Sequence, residues 1–307
     1  MSVMNSGLSL YRKTLKRFKP FHAALHWVMT HSVIPLLEKK RSFETIADDP
    51  FWFRLELLTG RHETATTQKV QTLLQPGMTV LDIGAHVGYY ARLFSNEVKE
   101  NGRVIAFEPH PRTFEVLGRN IQAFPNIQAL NLAASDSEGS AELYDYLMMS
   151  ASGSLNYDES MVDLQQSQTS SHDIAPRLKG FEMQTFSVQT RPGDVCLAEL
   201  NIEKVDFIKM DIEGAEIKAL RGLQHTIQNS PNLYMVMEYN PAALRSFGFE
   251  PIAAIEEVRS MGFGQVQVIH ENGTIDDLHG KPHELEQLTQ DLLSHMGVVN
   301  MLFYKAT

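Results

Sequence analysis

The densest group of ionisable side chains in the sequence is Asp206-Phe207-Ile208-Lys209-Met210-Asp211-Ile212-Glu213-Gly214-Ala215-Glu216, where an apolar run ends among charges. Alternation along a strand gives Lys209, Asp211 and Glu213 one parity, so all three can face one crevice beyond the strand end. Charges gathered there are costly unless paired or used, and carboxylates with shifted pKa values can move protons. A plainer reading stands beside this one: Asp211 caps a helix, and Glu213 and Glu216 favour its first turn.

Two further groups carry chemistry. In Val80-Leu81-Asp82-Ile83-Gly84-Ala85-His86-Val87-Gly88-Tyr89-Tyr90, a strand ending in an acid feeds a glycine turn, where a ligand can approach the backbone and a helix N-terminus offers amides. The spacing is G-x-x-x-G. A dinucleotide dehydrogenase needs G-x-G-x-x-G to seat a pyrophosphate, and position 86 is His where the second glycine belongs. The second strand, Val104-Ile105-Ala106-Phe107-Glu108-Pro109, ends in Glu108, placed as a carboxylate that accepts both hydroxyls of a ribose. A ribose without a pyrophosphate cradle points to S-adenosylmethionine. Taken singly, the glycines could serve a tight turn and Glu108 could be a solvated strand end.

The elements that position these residues follow from periodicity. Strands are expected at 78–83, 103–107, 127–132, 205–210 and 233–237, with helices at 89–99, 111–124 and 215–228, a βαβ pattern around a mostly parallel sheet. Runs at 264–269 and 298–303 suggest an antiparallel edge pair. From 146 to 181 the chain turns polar and serine-rich, and we expect an insertion acting as a lid or substrate loop, with plain disorder as the competing reading.

These motifs resemble the FkbM family of S-adenosylmethionine-dependent methyltransferases. The resemblance runs from about Thr79 to Tyr239 through VLDIGAHVGYY, VIAFEPHP, NLAASDSEGSAELY, SASGSL and, most specifically, DFIKMDIEGAEIKALRG. It implies a class I methyltransferase fold, an α/β, Rossmann-like, doubly wound and mostly parallel seven-stranded sheet with an N-terminal helical extension. It also implies that Asp82, Gly84 and Gly88 shape the methionine side of the cofactor pocket, with His86 in the same turn. Glu108 would hold the ribose, Asp136 would sit by the adenine, and Asp211 and Glu213 would lie near the sulfonium and the incoming hydroxyl. Family members are similar in methylating oxygen, on sugars, glycoconjugates or secondary metabolites.

For in-line methyl transfer to a hydroxyl most of the catalysis can be positioning, helped by a base. The candidates are Asp211, Glu213, His86 and His110, with Asp211 ranked first and Lys209 as its partner. His86 reads better as a packed turn residue and His110 as a surface histidine. Glu238 and Asn240 could join Asp211 in a magnesium pocket, but Lys209 can neutralise those carboxylates instead, and we assign no metal ligand.

Composition bounds the rest. With 307 residues, 43% hydrophobic, 21% charged and a formal net charge of −10, the chain lacks the broad positive field that sequence-independent nucleic-acid binding needs. Cys196 is the single cysteine, so no intramolecular disulfide or thiolate cluster forms, and a cytoplasmic setting is expected. Residues 1–60 read as a basic helical extension and 61–307 as the methyltransferase domain. Up to Arg41 the cations Arg12, Lys13, Lys16, Arg17, Lys19, Lys39, Lys40 and Arg41 stand against Glu38 alone. The preferred reading is a helical extension packed on the main domain with its lysines solvated, and the alternative is that, with Phe18, Phe21, Leu25 and Trp27, the arm touches an anionic membrane surface without spanning it. The competing function is a non-catalytic S-adenosylmethionine sensor docked to a membrane by that arm.

Overall fold

The computed structural model describes residues 19–145, 150, 153–156 and 183–305. The described residues fall into two compact units, one up to His62 and one from Glu63 onward. In the first, helices α1 (Lys19–Val28) and α2 (Ile34–Arg41) join through a π turn at Met29–Val33 beside Pro35, which has no amide to give. Helix α3 (Phe51–Thr59) carries the buried Arg54, which donates to Glu38 Oε1 at 3.1 Å and Thr45 Oγ1 at 2.7 Å. Trp27, Val28 and Leu36 are exposed. No described helix is long and apolar enough to cross a membrane.

The second unit opens with α4 (Thr64–Leu73) and is then built from buried apolar strands that leave both faces covered. The chain runs β1 (Thr79–Ile83), α5 (Tyr89–Val98), β2 (Arg103–Phe107), α6 (Pro111–Ile121) and β3 (Ile127–Leu130). After β4 (Ala133–Ser135), β5 (Gly139–Asp145) and β6 (Gln184–Pro192) come α7 (Gly193–Glu199), β7 (Phe207–Met210), α8 (Glu216–Arg221), α9 (Gln224–Asn229) and β8 (Leu233–Tyr239). The remainder is α10 (Pro241–Ser246), α11 (Pro251–Ser260), β9 (Gln265–Ile269), β10 (Ile275–Asp277), α12 (Pro282–His295) and β11 (Val299–Lys305).

The main sheet has the order β10-β9-β11-β8-β7-β1-β2-β3, with β3, β2, β1, β7 and β8 parallel. Strand order reverses between β1 and β7, which opens a crevice beyond their carboxyl ends. Alternate residues feed two cores. Leu81, Ile83, Ile105, Phe107, Ile208, Met235 and Met237 pack on one face with Ile217, Leu220 and Ile255. Val80, Val104, Phe207, Val236 and Leu302 pack on the other with Val70, Phe94, Val98 and Leu117. By the same alternation Asp82, Lys209, Glu238 and Asn300 lie on this second face, toward the carboxyl ends of the parallel strands.

Several expectations need correction. The sheet has eight strands rather than seven, because β10 extends it past β9. Strands β9 and β11 do pair antiparallel, but β11 is inserted between β8 and β9 and is not at the edge. The strand expected at 127–132 stops at Leu130, and β4 leaves for a separate three-stranded sheet, β4-β6-β5. The single helix expected at 215–228 is two, broken at Gly222, where a Cβ would fall 1.9 Å from the Ser135 carbonyl oxygen. The polar insertion at 146–181 lies outside the described residues apart from Ser150 and 153–156.

Candidate functional site

The turn after β1 is stitched to β2 by main-chain bonds. The amides of Gly84 and Ala85 both donate to the Phe107 carbonyl, at 3.0 and 2.9 Å, and Asp211 N donates to Ile83 O at 3.0 Å. Gly84 has φ +86°, and a Cβ there would lie 1.9 Å from the Asp211 carbonyl oxygen. Gly88, at φ +89°, would press its Cβ to 2.7 Å from Leu117 Cδ1. The close approaches that require these glycines are therefore the protein's own. They bring the loops after β1 and β7 into contact and seat α5 against α6.

Between the glycines, His86 adopts a left-handed backbone with φ 50° and donates its amide to Glu108 Oε2 at 2.8 Å. The other Glu108 oxygen, Oε1, accepts from His110 N at 2.8 Å. The carboxylate is 6% exposed. Burial pushes its pKa up to about 7, even though the His110 and His86 amides favour its charged form. The His86 ring lies with Nε2 2.6 Å from Ser150 Oγ.

His110 is not the surface histidine expected. It is buried, its Nδ1 accepts from Thr113 N at 3.4 Å at the start of α6, and its Nε2 lies 3.3 Å from Asp145 Oδ2. Phe186 packs on its ring at 4.4 Å between centroids. One nitrogen thus caps α6 and the other faces Asp145 in the secondary sheet, so the ring is engaged on both sides.

At the end of β7, Lys209 is 3% exposed and its Nζ donates to Asp211 Oδ2 at 2.9 Å. Burial opposes its charge, but Asp211, Glu63 and Asp82 together outweigh that and raise its pKa. Asp82 pairs with Lys209 in the β1–β7 register and is 1% exposed, with neither carboxylate oxygen hydrogen-bonded. Burial lifts it to about 7, with Lys209 pulling the other way. Glu213, turned by a left-handed φ of 54°, is pushed up to about 8 by burial and by Asp211 and Glu216, while Asn240 lowers it through a hydrogen bond. Glu216 accepts from Ile212 N and Gly214 N, both at 3.2 Å, and burial raises it to about 7. Glu238 is raised well above its ordinary value by burial, then by Asp211 and Glu213, and its Oε2 is buried with no hydrogen-bond partner.

The structure thus brings Asp82, Gly84, His86, Gly88, Glu108, Lys209, Asp211 and Glu213 to the carboxyl ends of β1, β2 and β7 and the turns that follow them, with Asp82, Glu108 and Lys209 buried. It does not bring Asp136, which is exposed beyond β4, accepts from the Ser135 and Ser137 hydroxyls, and lies in the field of Arg221 at the far end of α8. Nearer to Glu108 is Asn131, whose Nδ2 donates to the Glu108 and Pro109 carbonyls at 2.8 and 3.0 Å. Among the described residues no three His, Cys, Asp or Glu side chains come together to hold a metal ion. A cavity of about 600 Å³ beside Thr79, Arg103 and Lys204 opens at the opposite, amino ends of β1 and β2.

Sequence reasoning missed Glu63, Tyr90 and Asn300, which surround Lys209 and Glu238 from the helical layer and from β11. Asn300 carried a signal, a polar residue at a strand position whose alternation is otherwise apolar. Ser154 was also missed as a bridge: its hydroxyl donates to the Glu213 carbonyl at 3.3 Å, so the serine-containing segment touches the loops after both β1 and β7.

The raised carboxyls make stability pH-dependent. Asp82, Glu108 and Glu216 bind protons more tightly when folded, at about 7, than at their ordinary 3.8 to 4.5. The folded state therefore holds more protons across that window, and stability falls as pH rises through it. Lys209, with its pKa raised from 10.5, contributes fully below that pH and is constant here. The thermal midpoint of the ligand-free protein should fall between pH 5 and 8, with a shallower slope in Glu216→Gln. A midpoint that rises over this range, or an unchanged slope in the variant, contradicts the assignment.

The model of the methyltransferase FkbM domain matches residues 82–264. Among curated proteins, the chain is 29% identical over 147 residues to "Methyltransferase 1" of Beauveria bassiana, covering 47% of this chain and 57% of that protein. It is 27% identical over 194 residues to "2-O-methyltransferase NoeI" of Sinorhizobium fredii, covering 61% and 73%. With "Hexuronic acid methyltransferase AglP" of Haloferax volcanii it shares 24% over 148 residues, covering 48% and 51%. The chain thus spans little more than half the length of the first and third of these.

Proposed function

Because the chain belongs to the FkbM methyltransferase family, we propose that it transfers the methyl group of S-adenosylmethionine to a hydroxyl of a sugar, glycoconjugate or secondary metabolite. The observation that carries this reading is the Glu108 carboxylate, oriented by two main-chain amides at the end of β2, across the strand-order reversal from the Lys209–Asp211 pair. The names of the relatives, one a 2-O-methyltransferase and one acting on a hexuronic acid, support oxygen as the site of transfer.

The residues present suit that cofactor. Each Glu108 oxygen accepts one amide and keeps a lone pair for a ribose hydroxyl. The partly exposed Asp211 carboxylate offers negative potential to a sulfonium. Bound there, S-adenosylmethionine supplies a methyl carbon activated by a sulfonium charge that vanishes on transfer. Asp211 takes the proton of the acceptor hydroxyl, and Lys209 aims the Asp211 carboxylate through its hydrogen bond. Glu213, at about 8, keeps its proton at neutral pH and can donate to the acceptor.

Calorimetric titration with S-adenosylhomocysteine tests the cofactor. Wild-type protein should bind one equivalent, and Glu108→Ala should lose about 2 kcal/mol, roughly thirtyfold in affinity, for two charge-assisted hydrogen bonds. Equal affinity of the two proteins would show that Glu108 does not hold the ribose.

A further inference from the structure

Lys209 is held from the helical layer as well as from the sheet. Glu63 stands at the N-cap of α4 with a left-handed φ of 44°, a conformation costly for a residue with a side chain, yet its carboxylate makes no cap hydrogen bond. Both oxygens turn elsewhere. Oε2 accepts from the Tyr90 hydroxyl at 2.7 Å and Oε1 from Asn300 Nδ2 at 3.2 Å, while the Thr67 hydroxyl donates to Tyr90 at 3.3 Å. The Tyr90 ring lies under the Lys209 ammonium, 4.6 Å from Nζ to the centroid, and that ammonium donates to Asp211.

Donation of the phenol proton to a carboxylate enriches the ring in electrons, and a richer ring attracts a cation more strongly. The charge of Glu63 also acts on Lys209 directly. Glu63 lies outside the stretch matched by the family model, which begins at Asp82.

We propose that Glu63 is a positioning residue which, through Tyr90, fixes the Lys209 ammonium and with it the Asp211 carboxylate at the acceptor side of the crevice. The proposal rests on the role given to Asp211 above. The groups facing Lys209 are Asp211 beyond its own strand, Asp82 on β1, and Tyr90 and Glu63 from the helical layer.

Nuclear magnetic resonance of the lysine ammonium groups in the full chain tests this, with the Lys209 signal assigned by Lys209→Arg. Glu63→Gln keeps a hydrogen-bond acceptor but removes the charge, and Tyr90→Phe keeps the ring but removes the hydroxyl. In both, exchange of the Lys209 ammonium protons with water should rise at least tenfold, and the coupling through the hydrogen bond to Asp211 should weaken. Glu63→Asp should restore part of each signal. Exchange within twofold of wild type in both variants overturns the proposal. Should Glu63→Gln fail to fold, judged by cooperative unfolding and S-adenosylhomocysteine binding, Tyr90→Phe decides alone. Loosening of Lys209 alongside normal turnover in Asp211→Asn would leave the coupling intact and remove its catalytic purpose, overturning the role of Asp211 separately.

Discussion

Replacing Lys209 with Met should destabilise the fold by about 3–5 kcal/mol, the cost of removing one partner from a buried ion pair. The size follows from what stays behind. Asp82 is 1% exposed with no hydrogen-bonding partner for either oxygen, and across the β1–β7 register its neighbour would change from an ammonium to a thioether. Asp211 can hydrate at the crevice, but Asp82 cannot. The loss should be larger at pH 8 than at pH 5, because an abandoned carboxyl escapes the penalty by taking a proton. A second substitution, Asp82→Asn, should recover part of it, a non-additivity that measures the pair directly. Urea denaturation at the two pH values reads all three effects, and a loss below about 1 kcal/mol at pH 8 would mean that water reaches Asp82.

Asp211→Asn should lower methyl-transfer turnover by about 10²–10⁴-fold, the usual contribution of a positioned base, while S-adenosylhomocysteine affinity stays within about threefold. The amide keeps the size and one acceptor of the carboxylate, so the Lys209 contact weakens without emptying, and Asp82 and Glu63 still balance the ammonium. Turnover and binding together separate the outcomes. Normal turnover removes Asp211 as the base. Equal losses in both quantities would place Asp211 on the cofactor instead of on the acceptor.

The parts of the fold legible in sequence were those set by period. Apart from Asp82 and Lys209 the runs ending at Ile83, Phe107 and Met210 are mainly apolar, and each is followed by glycine or charge, so β1, β2 and β7 could be read directly. What escaped depended on contacts distant in sequence. Nothing around Gly222 says that Ser135 lies where a Cβ would go, so the helix break there was invisible. His110 looked like a surface residue between two prolines, and its burial comes from Asp145 and Phe186 on a hairpin that the polar insertion interrupts. The resemblance implied an adenine role for Asp136, and where that residue sits was not legible in sequence: it follows β4, which pairs with β6 in the secondary sheet. Glu63 gave no local signal, because its partners Tyr90 and Asn300 come from elements distant in sequence.

The glycine turn is instructive in another way. G-x-x-x-G reads in sequence as the turn of a nucleotide crevice, yet the atoms that forbid a side chain at Gly84 and Gly88 belong to Asp211 and Leu117. The glycines let the loops after β1 and β7 meet, and that meeting sets Asp82, Lys209 and Asp211 beside the turn that delivers the His86 amide to Glu108.

The most direct test of the central claim is a crystal structure of the chain with S-adenosylhomocysteine. The account predicts the ribose diol on the Glu108 carboxylate and the thioether sulfur facing Asp211, beyond the ends of β1 and β7. A nucleoside bound elsewhere, or one whose ribose makes no contact with Glu108, would contradict it.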